Sequence, residues 1–474
     1  MTFALSISLL SPFLGAAVIG ALDRFVSRRI VVIVSLLCAL SMLMVSRPPS
    51  HVGWWSSDRL GWFLALASLT TGLCACHYAA RQFEGEKRGR PFLGVALTIV
   101  GGVVSSDLSR TTFALCLSWV VTSFCTVLLL RVGRPAGATT SSWRRAAITF
   151  IVCDLTLVVA TAIAYAHSRG LSVLSPWNGH MHGVDSDLFV VGAMMGAAGR
   201  AGLAFRRSWV IDTVNAPSAA SALLHAGVVN AGVLLIFRAQ SIAGSSTPLN
   251  LLLASFSLIV LVSLAPRIHS RVDLKGQLAA STVAQMSLML TTLALGYPLL
   301  SITHAVGHGL YKAGRFMSAG GAIDQRARLR RRLPRGAVLS RRARSFAALT
   351  LGIIASTWGA HMGGDAPALM GIFGPATIFV WWSRSGSPLQ SALALWSGLV
   401  VSLLTYIALV AGLGQLLSLG HNAAQWRAPW WSLGVLVLMV AASNKWRALA
   451  IARPNRFAHS AIARSSAAKI SLSS

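Results

Sequence analysis

The chain has 474 residues, 55% of them hydrophobic and only 11% charged, with a mean hydropathy of +0.67. A soluble domain carries about 25% charged residues, so this chain cannot coat a water-facing surface of its own size, and it is too apolar to be disordered. Its 41 lysines and arginines against 12 carboxylates give a formal charge of +29. With no aromatic-interleaved basic module, that excess argues against nucleic acid and for basic loops at a cytoplasmic membrane face.

A crossing helix needs about 20 apolar residues. In chain order such segments fall at 3–21, 30–45, 60–79, 92–105, 111–130, 146–166, 188–205, 216–237, 249–265, 278–296, 299–322, 346–360, 367–382, 389–418 and 430–443. The segment 92–105 is the weakest of them, so 14 or 15 crossings are expected. Residues 3–21 have no basic region before them and no small-residue cleavage site, and read as a first membrane helix rather than a removed signal. Cys38, Cys74, Cys76, Cys116, Cys125 and Cys153 lie in or beside apolar runs and form no CxxC pair, so neither a zinc site nor a disulfide framework is suggested.

The basic residues test this parse independently. Of the 41, 32 fall in odd-numbered loops and the C-terminal tail, six in even-numbered loops and three inside segments. By the positive-inside rule the odd loops are cytoplasmic, which puts the N-terminus outside and the C-terminus in the cytoplasm. Residues 324–344 are the most basic stretch, including Arg330, Arg331 and Arg332. They read first as a topogenic loop near anionic lipid, and more weakly as a dock for an acidic cytoplasmic partner. Trp143, Trp381, Trp382, Trp426, Trp430, Trp431 and Trp446 lie near segment ends, as interfacial anchors do.

Ionisable groups inside membrane segments are costly and few, so each is a functional-site hypothesis. They are Asp154, Arg200, His225, His304, His308, Lys312 and Arg315. His304, His308 and Lys312 are spaced i, i+4, i+8, which stacks them on one helix face about 6 Å apart per step. Arg315 follows close to the same face, and Gly307, Gly309 and Gly314 leave room for water or a neighbouring helix. Such a ladder of imidazoles ending in a lysine can pass protons one hydrogen bond at a time. A metal is the weaker reading, because the two histidines have no evident third ligand. His225, in a small-residue stretch between Pro217 and Asn230, reads equally as a relay group or a packed, hydrogen-bonded side chain. Arg200 either pairs with Asp154 or snorkels toward Arg206. No nucleophile–base pair, phosphate loop or cofactor motif is evident, so a transporter subunit without cofactor is expected rather than an enzyme.

These residues carry a resemblance. Residues 216–238, APSAASALLHAGVVNAGVLLIFR, resemble the histidine signature of the proton-translocating antiporter subunits, the superfamily of complex I large membrane subunits and Mrp antiporters. Residues 281–323 resemble its ST-x-x-Q-M helix and the HxxxHxxxK helix after it, while Gly199-Arg200 and Asp154 align with its glycine–lysine and an aspartate. LHAGVVNAG, Arg200 in place of lysine, and Ser118-Trp119-Val120 are similar to the DabB branch, the membrane subunits of inorganic-carbon accumulation systems. Val120 stands where a glutamate is usual, no proline follows Arg200, and Pro217-Ser218 replaces threonine–proline. The resemblance implies an all-α polytopic membrane protein with inverted repeats of five helices and broken helices. Residues 1–105 would be N-terminal helices, 106–240 and 241–385 the two antiporter-like halves, and 386–474 C-terminal helices with a basic tail. It further implies proton influx coupled to CO2 hydration by a DabA-like cytoplasmic zinc partner resembling β-carbonic anhydrase. The other readings are a cation/proton antiporter or complex I-like subunit, and a non-conducting anchor for a partner.

Overall fold

Apolar runs punctuated by basic turns fold as helices because only a helix satisfies its backbone polar groups internally in lipid. The computed structural model describes residues 2–23, 26–133, 141–167, 183–204, 208–243, 247–269 and 274–321. The helices up to the first break are α1 (Thr2–Leu22), α2 (Arg28–Val45), α3 (Arg59–Gln82), α4 (Gly89–Asp107), α5 (Thr112–Val132), α6 (Ser141–His167) and α7 (Val184–Arg200). They are followed by α8 (Trp209–Asp212), α9 (Ser218–Leu223), α10 (Ala231–Ala243), α11 (Thr247–His269), α12 (Leu274–Ala294) and α13 (Pro298–Met317). Each apolar segment expected before residue 322 is occupied by helix. Among the described residues, seven helical stretches, with 218–240 taken as one, are long and apolar enough to cross a membrane. The four later segments, the basic loop with Arg330, Arg331 and Arg332, and the C-terminal tail lie outside the described residues.

The weakest segment has a physical explanation. Of α4's apolar window, 72% is buried inside the protein. It is surrounded by α1, α3 and α5, so its glycines and serines serve close packing and need not match lipid. The lipid-facing side chains lie on outer helices, such as Leu14, Phe124, Ile151 and Ile259.

Two helices are broken. The segment expected at 188–205 stops at Arg200 with no proline. Gly202 takes φ +75°, the Gly202 N–H donates to the Gly199 carbonyl at 3.1 Å, and the Leu203 N–H donates to that of Ala198 at 2.8 Å. This is a Schellman-type stop, in which glycine supplies the left-handed residue. The chain resumes at α8, where the Trp209 indole N–H donates to the Gly199 carbonyl at 2.9 Å. The segment expected at 216–237 divides into α9, a π turn over Leu224–Val228, and α10, with the Val229 N–H reaching the Leu224 carbonyl at 3.0 Å.

One feature departs from the all-helical expectation. Strands β1 (Ser50–Val52) and β2 (Trp55–Ser57) pair antiparallel between α2 and α3, turning at Gly53 with φ +55°. Trp54 packs edge-on against Phe113 at 4.8 Å. Three-residue strands are too short to leave a readable alternation. At the other end of these helices, Arg28 pairs with Asp23 and donates to the Glu86 carbonyl at 3.1 Å, tying the α1–α2 turn to the α3–α4 turn. That guanidinium holds the Asp23 carboxyl below the usual carboxylate range.

Candidate functional site

Two buried polar clusters form where the broken helices cross their neighbours. The first gathers around Arg200, the last residue of α7, which is 1% exposed. Its guanidinium carbon lies 3.9 Å from the centroid of the Trp119 ring. Its Nη2 donates to the Trp119 carbonyl at 2.8 Å and to Ser123 Oγ at 2.7 Å. The Trp119 indole N–H in turn donates to Asp154 Oδ1 at 2.9 Å. Arg200 therefore does not snorkel. It shares a site with Asp154, and Trp119 links them through its ring face and its N–H. Val120, where the resemblance expected a glutamate, is exposed at 41%, on the outer side of α5. The α5 side chains that reach Arg200 are Trp119 and Ser123.

The second cluster lies along α13, which packs on α12, α9, the π turn and α3. His304 is half-buried, and His308 and Lys312 are buried. The His304 and His308 rings are 6.4 Å apart, near perpendicular. Lys312 Nζ donates to the Leu278 carbonyl at 2.8 Å and to Ser281 Oγ at 2.5 Å, both on α12. One turn beyond Lys312, the Phe316 ring stacks on His225 at 4.5 Å and 7°. His225, His304, His308, Lys312 and Asn230 are thus brought together. Arg315 is half-buried in the last turn of α13. Of the three interleaved glycines, only Gly309 serves close approach: a Cβ there would lie 2.8 Å from both the Ala226 carbonyl and Asn230 Nδ2, whereas Gly307 and Gly314 face open space.

The hydrogen bonds fix both buried histidines. Asn230 Nδ2 donates to the Ala226 carbonyl at 3.0 Å and the Ala305 carbonyl at 2.9 Å, so its Oδ1 can only accept. His308 Nδ1, at 3.2 Å from that oxygen, carries the proton, and His308 Nε2 is bare, with no partner among the described residues. Thr213 Oγ1 gives its own proton to the Val210 carbonyl at 2.7 Å, so His225 Nε2 donates to it at 3.3 Å. His225 Nδ1 is then the bare nitrogen, with no partner among the described residues. Each imidazole holds one proton in place and offers one lone pair, the arrangement that accepts and hands on a proton.

Sequence reasoning missed Thr213, Trp209, Ser281 and Asp107. Thr213 and Trp209 belong to the segment that bridges the break after α7. Ser281 was quoted only as part of the ST-x-x-Q-M motif, and its role as the Lys312 acceptor needs the α12–α13 packing.

Residues 109–410, well over half of the chain, match the family described as NADH:quinone oxidoreductase/Mrp antiporter, TM. The chain belongs to that family. It is 30% identical over 297 residues to a probable inorganic carbon transporter subunit DabB of Bacillus anthracis, covering 61% of this chain and 57% of that protein. It is 33% identical over 240 residues to the protein of the same description in Hydrogenovibrio crunogenus, covering 49% and 44%. The chain thus spans less than three fifths of these relatives' length. Among solved structures, the Mrp complex from Dietzia sp. DQ12-45-1b matches with a TM-score of 0.66 at 20% identity, over 98% of this chain and 59% of that one. A membrane-bound sulfane sulfur reductase, an archaeal respiratory complex, matches with a TM-score of 0.59 at 16% identity, over 93% and 75%. Both likenesses concern the fold alone. The family match and the apolar helices make this chain a multi-pass antiporter-like membrane protein.

Proposed function

We propose that this chain is the proton-conducting membrane subunit of an inorganic-carbon pump, in which proton influx drives CO2 hydration by a cytoplasmic partner. The observation that carries it is the stripe His304–His308–Lys312, half-buried at His304 and buried at the other two, with His225 stacked one turn farther along α13. Each member can change its protonation while remaining shielded from lipid. In this reading a proton reaches the lone pair of His308, moves along the stripe to Lys312 and leaves past His225. Arg200 and Asp154 set the field at the other broken helix and do not themselves carry the proton. The similarity to DabB subunits supports inorganic carbon as the cargo, and a DabA-like zinc protein as the partner. The charge distribution supports an inner-membrane protein with its N-terminus outside.

The test is growth of a carbonic-anhydrase-deficient bacterium in air. The chain is expressed with and without its genomic neighbour, and bicarbonate uptake is measured with and without an uncoupler. Uncoupler-sensitive rescue that needs both proteins is expected. Lys312→Ala should abolish rescue while the protein stays in the membrane, and replacing His308 should slow it strongly. Full rescue by an abundant Lys312→Ala protein would sink the relay.

The fold likeness to an Mrp complex favours a second reading, a cation/proton antiporter subunit. Failure of a well-expressed pair to rescue, together with restored sodium tolerance in a sensitive strain, would favour it. A non-conducting anchor would rescue equally with Lys312→Ala.

A further inference from the structure

Asp107 ends α4 and is 4% exposed, although it falls just past the apolar segment read from the sequence. Its Oδ2 accepts from Ser68 Oγ at 2.7 Å. Beside it, the buried Arg238 donates from Nη2 to Asp58 Oδ1 at 2.6 Å, and the Asp58 side chain is 37% exposed. Gly61 lets these groups converge. A Cβ there would lie 2.6 Å from Asp58 Oδ1 and 3.3 Å from Arg238 Nη2, and would collide with the Asp107 carbonyl. The cluster therefore runs from the surface at Asp58 to a carboxylate buried inside the protein.

Asp107 also lines a cavity of about 40 Å³. Ser68 and Thr71 of α3, Asn230 at the π turn and Gly309 of α13 form other parts of its wall. A water needs roughly 10–15 Å³ of such space and two or more polar partners. The cavity has room for two or three, and supplies a carboxylate, two hydroxyls and an amide. Asn230 is the acceptor of His308 Nδ1. The cavity thus lies between Asp107 and the residue that holds the first buried histidine.

We propose that Asp107 is the proton-loading residue at the mouth of the α13 stripe, a proposal that rests on the relay reading above. The carboxylate takes a proton arriving beside Asp58 and Arg238 and becomes a neutral carboxylic acid. It releases that proton to water in the cavity and returns to the carboxylate. The proton then passes to His308 at its bare Nε2, since Nδ1 already holds a proton toward Asn230, and the imidazole becomes the cation until the stripe carries the charge on. Arg238 stabilises the ionised state between cycles and Asp58 gathers protons at the surface. This chain of groups lies on the side that the charge distribution puts outside, where an inward flux begins.

The test uses the full chain, expressed with its genomic neighbour, in sealed membrane vesicles with a pH-indicator dye under an imposed potential. Asp107→Asn keeps an oxygen for Ser68 but cannot load a proton. It should lower the flux by about a hundredfold at unchanged abundance and thermal stability. Asp107→Glu should restore most of the flux with a shifted pH profile, which a merely structural carboxylate would not do. Thr71→Leu fills the cavity without removing a titratable group and should lower the flux as well. Wild-type flux in Asp107→Asn beside a dead Lys312→Ala would overturn the mouth and leave the relay standing. Wild-type flux in Lys312→Ala would overturn the relay, and the mouth with it. If Asp107→Asn fails to accumulate, Thr71→Leu decides, and undiminished flux in that variant overturns the proposal.

Discussion

Thr213 and Asn230 determine which nitrogen of each buried histidine is protonated, though neither can titrate. Thr213 can only accept from His225 because its own proton goes to Val210. Thr213→Val keeps the shape and removes the acceptor. His225 is then free to change tautomer, and relay flux should fall about tenfold with little loss of thermal stability. Proton flux in vesicles beside a melting curve checks this, and unchanged flux would show that His225 is packing alone. The histidines and the lysine were legible in the sequence because an ionisable group in an apolar run is conspicuous. Thr213 was not, because its contact is made by the break after α7 and not by any helical spacing. Arg200 and Asp154 were legible as charges. That they would meet around Trp119 instead of forming a simple pair was not, since it depends on which face α5 turns inward.

Gly309 decides how closely α13 approaches the π turn. Gly309→Ala places a methyl group 2.8 Å from a backbone oxygen, which can yield only if the helices part. A loss of about 1–3 kcal/mol is expected, with lower flux as Asn230 and His308 separate. Gly307→Ala, two residues away on an open face, should be neutral or stabilise by up to about 1 kcal/mol. Thermal melts of the detergent-extracted variants measure the difference, and equal melting points would contradict the close approach. Helix positions were readable from the sequence because a lipid-crossing helix writes its length as an apolar run. The stop after Arg200 is made by glycine where proline was sought. The β1–β2 hairpin and the π turn leave no periodic trace, since each is shorter than the pattern that would reveal it.

Among the described residues, most basic side chains gather at one end of the helices and the hairpin lies at the other. An alkaline phosphatase fusion at Gly53, in the hairpin turn, should therefore be active outside the cytoplasm, and one at Gly85 inactive. The reverse result would invert the orientation and put Asp58, Asp107 and Arg238 on the cytoplasmic side. Counting charges loop by loop gave this orientation without any structure. The same count passed over the Asp58–Arg238 pair, whose partners are 180 residues apart and meet only when α10 packs beside α3 and α4. Asp107 was missed for a related reason: it looks like a loop residue until the surrounding helices bury it.

The π turn has a consequence for how this chain tolerates changes in length. In a regular α-helix a residue five positions on is rotated by about 140°, so His225 and Asn230 could not both face α13. The extra residue in Leu224–Val228 brings them into line. Helices elsewhere lose register and stability when one residue is deleted. Deleting one here would instead produce a smoother helix that folds well and has lost its alignment with the stripe. Natural length variation should therefore be absent from these five positions even where it is harmless in the loops on either side.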